Sequence, residues 1–235
     1  MIIDFNAHFG QGPGTIDWCG AEKLARLEKA AGIDLAVASD IGAAFAHAAM
    51  SPETLPDGLV AFASLAPTFD RRLPTSIKGV RIYPTYHVWD FGGAACSDLL
   101  ALARERNLIV QVYLRLQDLR VLLVAFEPAD VIERLPKLVD AHQDIRFVIS
   151  GATYAEVNAN PALFGRENIW TDISHVQHPI NSLPKLLDAI DVSRVLFGTG
   201  APVLYPYSNV FRVVNSPISD EIKERILWRN ARELL

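Results

Sequence analysis

Asn6 and His8 sit two residues apart in the run Asp4-Phe5-Asn6-Ala7-His8-Phe9-Gly10. On an extended strand, residues at that spacing point to the same side, so a pair of donors placed there can reach one ion or one ligand atom. His8 is a good metal donor. The Asn6 amide oxygen is a poor one for zinc, which takes imidazole, thiolate and carboxylate. Read without context, the two are polar residues at a strand end. His87, His175 and His178 follow later apolar runs, and Asp172 lies within one. His8, Asp172 and His175 make a chemically acceptable ligand set, although nothing in their spacing forces them together. Histidine also titrates near neutral pH, which makes His8 and His87 candidates for acid–base catalysis. Arg81 and Arg115 are candidate anion-binding groups, because the planar guanidinium grips carboxylate or phosphate with paired hydrogen bonds. Each arginine has a structural reading too: Arg115 has Asp118 close in sequence, and Asp172 is a partner for Arg81. His47 and His142 fall in helical or turn segments and read as structural.

To meet at one place, these side chains need a scaffold. Short apolar, β-branched runs recur at 1–5, 35–39, 59–65, 79–83, 108–114, 145–149, 169–173 and 194–197. Nearly continuous runs of this kind mark strands buried on both faces, as in a parallel sheet. Segments 21–31, 97–106, 136–142, 182–190 and 219–235 carry apolar residues at helical spacing. This rhythm predicts an α/β fold, a (β/α)8 TIM-type barrel of parallel strands, as a single domain over 1–235. A doubly wound open sheet is the alternative. Against it, Gly10, Gly12 and Gly14 lead into Thr15-Ile16-Asp17-Trp18 rather than straight into a helix, so they read as a loop and not as a dinucleotide site. Barrels place function at the C-terminal strand ends. Strand parity then sends Asn6, His8, Arg81, Tyr83, Gln111, Tyr113 and Arg115 toward one mouth. The aromatic-rich segment 84–89 and the long connection 116–135 are candidates for a lid or a subunit contact.

Composition excludes several classes. The net charge of -5 and the absence of a basic stripe exclude a nucleic-acid binder. No run reaches the roughly 18 uninterrupted apolar residues of a membrane span. Cys19 and Cys96 are far apart and lack metal-ligand spacing, which fits a reducing, cytoplasmic setting better than a disulfide. The first residues enter a strand-like run without a leader pattern. A homo-oligomer is compatible with all of this.

The opening run 4–10, Gly79-Val80-Arg81-Ile82-Tyr83-Pro84, segments 145–151, 168–174 and 194–202, and the closing Asn230-Ala231-Arg232-Glu233-Leu234 together resemble the amidohydrolase superfamily. The nearest likeness is to its amidohydrolase-related branch, which includes aminocarboxymuconate-semialdehyde decarboxylase-type proteins. That resemblance implies a barrel with a metal centre at its mouth. The centre is built from a His-x-His pair on strand one, histidines ending strands five and six, and a strand-eight aspartate that binds metal and activates water. The matching positions here are Asn6 and His8, Tyr113, Gly151 and Gly200, so His8 alone is kept. A catalytic zinc takes about three protein ligands. The departure therefore implies a degenerate centre with no metal ligands, and no cofactor beyond, at most, a single weak or relocated divalent metal. The expected function is a hydrolase or decarboxylase-type lyase acting on a small organic anion without the usual metal centre. His8 and His87 are its catalytic candidates, and Asn6, Arg81, Tyr83, Tyr113, Arg115, Asp172 and His175 would contact substrate. The alternative is a non-catalytic barrel that binds a small ligand or a partner protein.

Overall fold

The computed structural model describes residues 1–12, 19–46, 54–116, 127–179 and 181–235. Eight strands form one parallel sheet in sequence order: β1 (Ile3–Phe9), β2 (Leu35–Asp40), β3 (Leu59–Leu65), β4 (Gly79–Ile82), β5 (Ile109–Tyr113), β6 (Phe147–Ser150), β7 (Ile169–Asp172) and β8 (Val195–Leu196). The segment after the short β8 returns the sheet to β1. There the Phe5 N–H donates to the Phe197 carbonyl at 2.8 Å, the Gly200 N–H to the Asn6 carbonyl at 2.7 Å, and the His8 N–H to the Ala201 carbonyl at 2.7 Å. This is the expected (β/α)8 barrel, and closure removes the free edges that an open sheet would expose.

The helices are α1 (Ala21–Ala30), α2 (Gly42–Ala46), α3 (Ala94–Glu105), α4 (Pro128–Ala141), α5 (Tyr154–Ala159), α6 (Pro161–Phe164), α7 (Ser182–Ala189), α8 (Pro206–Val214), α9 (Asp220–Glu224) and α10 (Asn230–Leu234), the last two joined by the wide turn Arg225–Arg229. Among the described residues, no helix is long and apolar enough to cross a membrane.

Two boundary differences from the sequence reading bear on the site. β1 runs on through Phe9 rather than ending at residue 5, which puts Asn6 and His8 inside the strand. Its register with β2 shifts between Asp4 and Ala7, where the Asp4 carboxylate accepts the Asn6 N–H at 2.8 Å. Such a bulge re-aims the side chains that follow it. α4 starts eight residues before the expected 136, so residues 128–135 of the stretch 116–135 are helix. Pro128 is the starting proline, in a first turn where its missing N–H costs nothing, and Pro136 lies inside the helix. Residues 117–126, including Asp118, lie outside the described residues, as does His47.

The barrel interior has two layers. Phe5, Val37, Phe62, Ile109, Val148 and Leu196 form an apolar plug, with the Phe5 and Phe62 rings edge to face at 5.8 Å. Gly79 makes room for this plug, since a Cβ there would lie 2.4 Å from the Phe62 ring. Two residues further along, on the same face of each strand, the inward positions turn polar: Ser39, Ser64, Arg81, Gln111 and Ser150, all buried. The outer core lies between the sheet and the helices, with Leu99, Leu102, Leu135, Val139, Leu163 and Leu186 among its members.

Candidate functional site

The polar layer is centred on Arg81. Its Nε donates to Gln111 Oε1 at 2.8 Å, and its Nη1 donates to the Ala7 carbonyl at 2.9 Å and to Ser39 Oγ at 2.8 Å. Gln111 in turn donates from Nε2 to Ser150 Oγ at 2.6 Å and to the Phe5 carbonyl at 3.1 Å. These bonds join β1, β2, β4, β5 and β6 across the interior, so the guanidinium is held in one orientation. Asp172 is not its partner, and among the described residues Arg81 Nη2 has no hydrogen-bond partner. A buried cation with an unfilled donor is costly unless something meets it.

His8 lies next to this cation, fully buried, with neither ring nitrogen hydrogen-bonded to a described residue. Burial, followed by the neighbouring Arg81, holds its pKa well below the ordinary histidine value, so the ring is neutral at pH 7. Tyr113 packs edge to face on it with ring centres 5.0 Å apart and lies under Arg81 at 5.6 Å. The Tyr113 hydroxyl donates to Asn6 Oδ1 at 2.8 Å, and burial, then the Asp172 charge, pushes its pKa well up. The Tyr83 hydroxyl lies 3.2 Å from Ser39 Oγ and 3.1 Å from Ser64 Oγ. Asn6 Nδ2 reaches both Asp172 oxygens at 3.3 Å and Ser174 Oγ at 3.0 Å. Ser174 Oγ lies 3.1 Å from Nδ1 of the half-buried His175.

The fold therefore gathers Asn6, His8, Arg81, Tyr83, Tyr113, Asp172 and His175. Arg115 is engaged elsewhere. It forms a two-pronged ion pair with Glu156 and donates to the Gly151 carbonyl at 2.7 Å. Glu156 also closes a capping box with Thr153 at the start of α5, which makes this pair a strut between β5 and α5. His87 lies with Nε2 3.0 Å from the Ala43 carbonyl of α2 and packs on Tyr83. Segment 84–89 is mostly packing surface: Tyr86 and Trp89 are buried, and the Tyr86 hydroxyl accepts the Leu116 N–H. The buried hydroxyls of Ser39, Ser64, Ser150 and Ser174 were missed by sequence reading. For Ser39, Ser64 and Ser150 a signal existed, since each lies two residues beyond an apolar plug residue on its strand.

Gly151 and Gly200 show why the expected ligand positions cannot simply be refilled. Both have left-handed backbone, with φ of 77° and 74°, which disfavours any side chain. A Cβ on Gly151 would lie 2.7 Å from the Arg115 carbonyl oxygen, and one on Gly200 would lie 3.0 Å from Leu204. Backbone and Leu204 occupy the volume that side chains would need. Among the described residues, no group of three or more His, Cys, Asp or Glu side chains converges to hold a metal ion. Among the described residues the donors do not converge on a three-ligand centre, and no step below runs through a metal.

Residues 17–235 match the family model described as Amidohydrolase. Nothing matches among the curated proteins. Among solved structures, 2,6-dihydroxybenzoate decarboxylase complexed with 2,6-dihydroxybenzoate is similar at TM-score 0.75 and 14% identity, over 99% of this chain and 98% of that one. 5-Carboxyvanillate decarboxylase from Sphingomonas paucimobilis is similar at 0.71 and 10%, over 99% and 98%. A dihydroxybenzoic acid decarboxylase from Polaromonas sp. JS666, with bound manganese and the inhibitor 2-nitroresorcinol, is similar at 0.74 and 15%, over 99% and 96%. This last structure corrects the expectation of no cofactor beyond a weak or relocated metal, because a barrel of the same fold holds manganese.

Proposed function

Because this chain belongs to the amidohydrolase family, we propose that it is a decarboxylase-type lyase that takes a small organic acid into the C-terminal mouth of its barrel. The observation that carries this reading is the pair of unfilled polar groups, Arg81 Nη2 and the His8 imidazole, side by side in a layer whose other members are largely satisfied. A carboxylate answers both, accepting one bond from the guanidinium and one from the neutral ring. Arg81 is tethered by three bonds, so no orientation has to be found when the anion arrives. The Tyr83 hydroxyl lies beside the same layer, within reach of Ser39 and Ser64. A hydrolytic reaction is less well supported, because Gly200 stands where the resemblance expects the water-activating aspartate. The similar structures named above include three decarboxylases of aromatic acids, which supports the choice of reaction.

The test is turnover. The protein is incubated with 2,6-dihydroxybenzoate and a panel of related aromatic and unsaturated carboxylates, with and without added manganese, while carbon dioxide release is followed. Release that Arg81→Met abolishes supports the reading. No release from any acid under either condition overturns it. One observation favours the non-catalytic alternative: His8, Arg81 and Tyr113 are all buried, and the Tyr113 hydroxyl is bonded across the mouth to Asn6. An acid must therefore displace side chains at the rim as it enters.

A further inference from the structure

Three neighbouring strands carry large side chains at their starts, on the N-terminal face of the barrel and so at the opposite end from the mouth. Arg146 directly precedes β6, Trp170 is the second residue of β7, and Arg194 directly precedes β8. The Arg194 guanidinium lies over the Trp170 ring, 4.6 Å from its centre. With Asn230 and Leu234 of α10, these three line a cleft of about 340 Å³, which is the size of a small-molecule site. The cleft shares no residue with the mouth.

Both arginines are held in place by neutral groups. Arg146 donates from Nη1 to the Leu234 carbonyl at 2.6 Å and from Nη2 to the Asn107 carbonyl at 2.7 Å. Burial alone shifts its pKa, downward, so no acid compensates its charge. Asn230 Nδ2 donates to the Val192 and Val195 carbonyls at 2.6 and 2.8 Å, which pins the segment carrying Arg194. Among the described residues the Arg194 guanidinium has no hydrogen-bond partner, and neither arginine forms an ion pair. Other arginines, such as Arg104, Arg166 and Arg229, are paired with acids. Glu233 also lines the cleft, but Arg225 engages it at 2.9 and 3.2 Å. Asp191 is exposed, and its carboxyl is held low chiefly by hydrogen bonds from Ser193 and less by Arg194.

We propose that this cleft is a second ligand site, for a small organic phosphate whose head lies between Arg194 and Arg146 and whose apolar body rests against Trp170. Phosphate fits better than carboxylate on charge and on shape. It carries about −1.5 to −2 at pH 7, against two unpaired cations. Its oxygens point in several directions, so they can meet guanidinium groups that arrive from two different strands, whereas a flat carboxylate is matched by a single guanidinium fork.

The test is calorimetric titration of phenyl phosphate, inorganic phosphate and benzoate into wild type, Arg194→Met and Arg81→Met, with tryptophan fluorescence followed in parallel. Phenyl phosphate should bind the wild type and Arg81→Met saturably, and Arg194→Met about tenfold or more weakly, the loss expected for one charge-assisted contact. It should bind more tightly than inorganic phosphate or benzoate. Binding should also change the fluorescence, and Trp170→Phe should remove that change. Absence of saturable binding to the wild type would overturn the proposal. So would binding that survives in Arg194→Met and disappears in Arg81→Met, which would put the anion in the mouth. Equal affinity for phenyl phosphate and inorganic phosphate would overturn the assignment of an organic ligand, and tighter binding of benzoate would overturn that of a phosphate. Should Arg194→Met misfold, a wild-type fluorescence change that persists in Trp170→Phe refutes the site by itself. None of these readouts depends on turnover, so this site and the decarboxylase reading stand or fall separately.

Discussion

Glu28→Gln should stabilise this protein at neutral and alkaline pH and flatten the pH dependence of its stability. Glu28 is on α1, 2% exposed, and neither carboxyl oxygen has a hydrogen-bond donor among the described residues. Burial, then the charge of the neighbouring Asp4, pushes its pKa from 4.5 up to about 10. Asp4 is raised in the same way to about 6, chiefly by burial, against the bonds it accepts from Thr199 and the Asn6 N–H. The folded protein therefore keeps the Glu28 proton at pH values where the unfolded chain has released it. With fewer protons on the unfolded state, stability falls as pH rises. The Glu28 contribution is intact below about 4.5 and declines until about 10. One proton over three pH units, from 4.5 to 7.5, is about 4 kcal/mol at 1.36 kcal/mol per unit, an upper bound. Relaxation and water entry reduce it to about 2 kcal/mol. Glutamine keeps the shape, does not ionise, and can donate its amide to Asp4. Urea denaturation followed by circular dichroism at pH 5, 6, 7, 8 and 9 is the assay. The wild type should lose stability steadily over that range, with the variant the more stable at pH 8. Equal slopes for the two proteins would refute the buried-acid reasoning.

Arg115→Met should cost about 3 kcal/mol by leaving Glu156 half-buried without its partner, while anion binding at the mouth is unchanged. Thermal melting with and without carboxylates separates the two effects, and loss of binding would return Arg115 to the site. Tyr113→Phe should cost about 1–3 kcal/mol by orphaning the buried Asn6 oxygen, read as a lower urea midpoint at constant slope. Gly151→Ala should cost about 2 kcal/mol or more, because it puts a side chain on a left-handed residue 2.7 Å from a carbonyl oxygen. A neutral result there would mean that the turn after β6 can relax.

The barrel was legible because strand runs such as 79–83 and 108–114 are nearly continuous apolar stretches that recur between helical segments, a pattern set by burial. The convergence of Asn6, Arg81, Tyr83 and Tyr113 was legible from parity. Their bonding was not. Parity says which way Arg81 points, but its engagement with Ser39 and the Ala7 carbonyl depends on strands far away in the chain, and on the bulge that Asp4 creates in β1. The bonding of Arg115 was hidden in the same way. Its partner, Glu156, follows β6, and no local spacing links the two. α4 was cut short because Pro136 reads as a start when taken alone, whereas Pro128 performs that role.

Calorimetric titration of 2,6-dihydroxybenzoate and benzoate, with and without manganese, into wild type, Arg81→Met and Arg115→Met tests the central claim most directly. Saturable binding to wild type and Arg115→Met, lost in Arg81→Met, is the expected result. Binding that survives in Arg81→Met, or no binding to the wild type under either condition, would contradict an anion site built on Arg81 and His8.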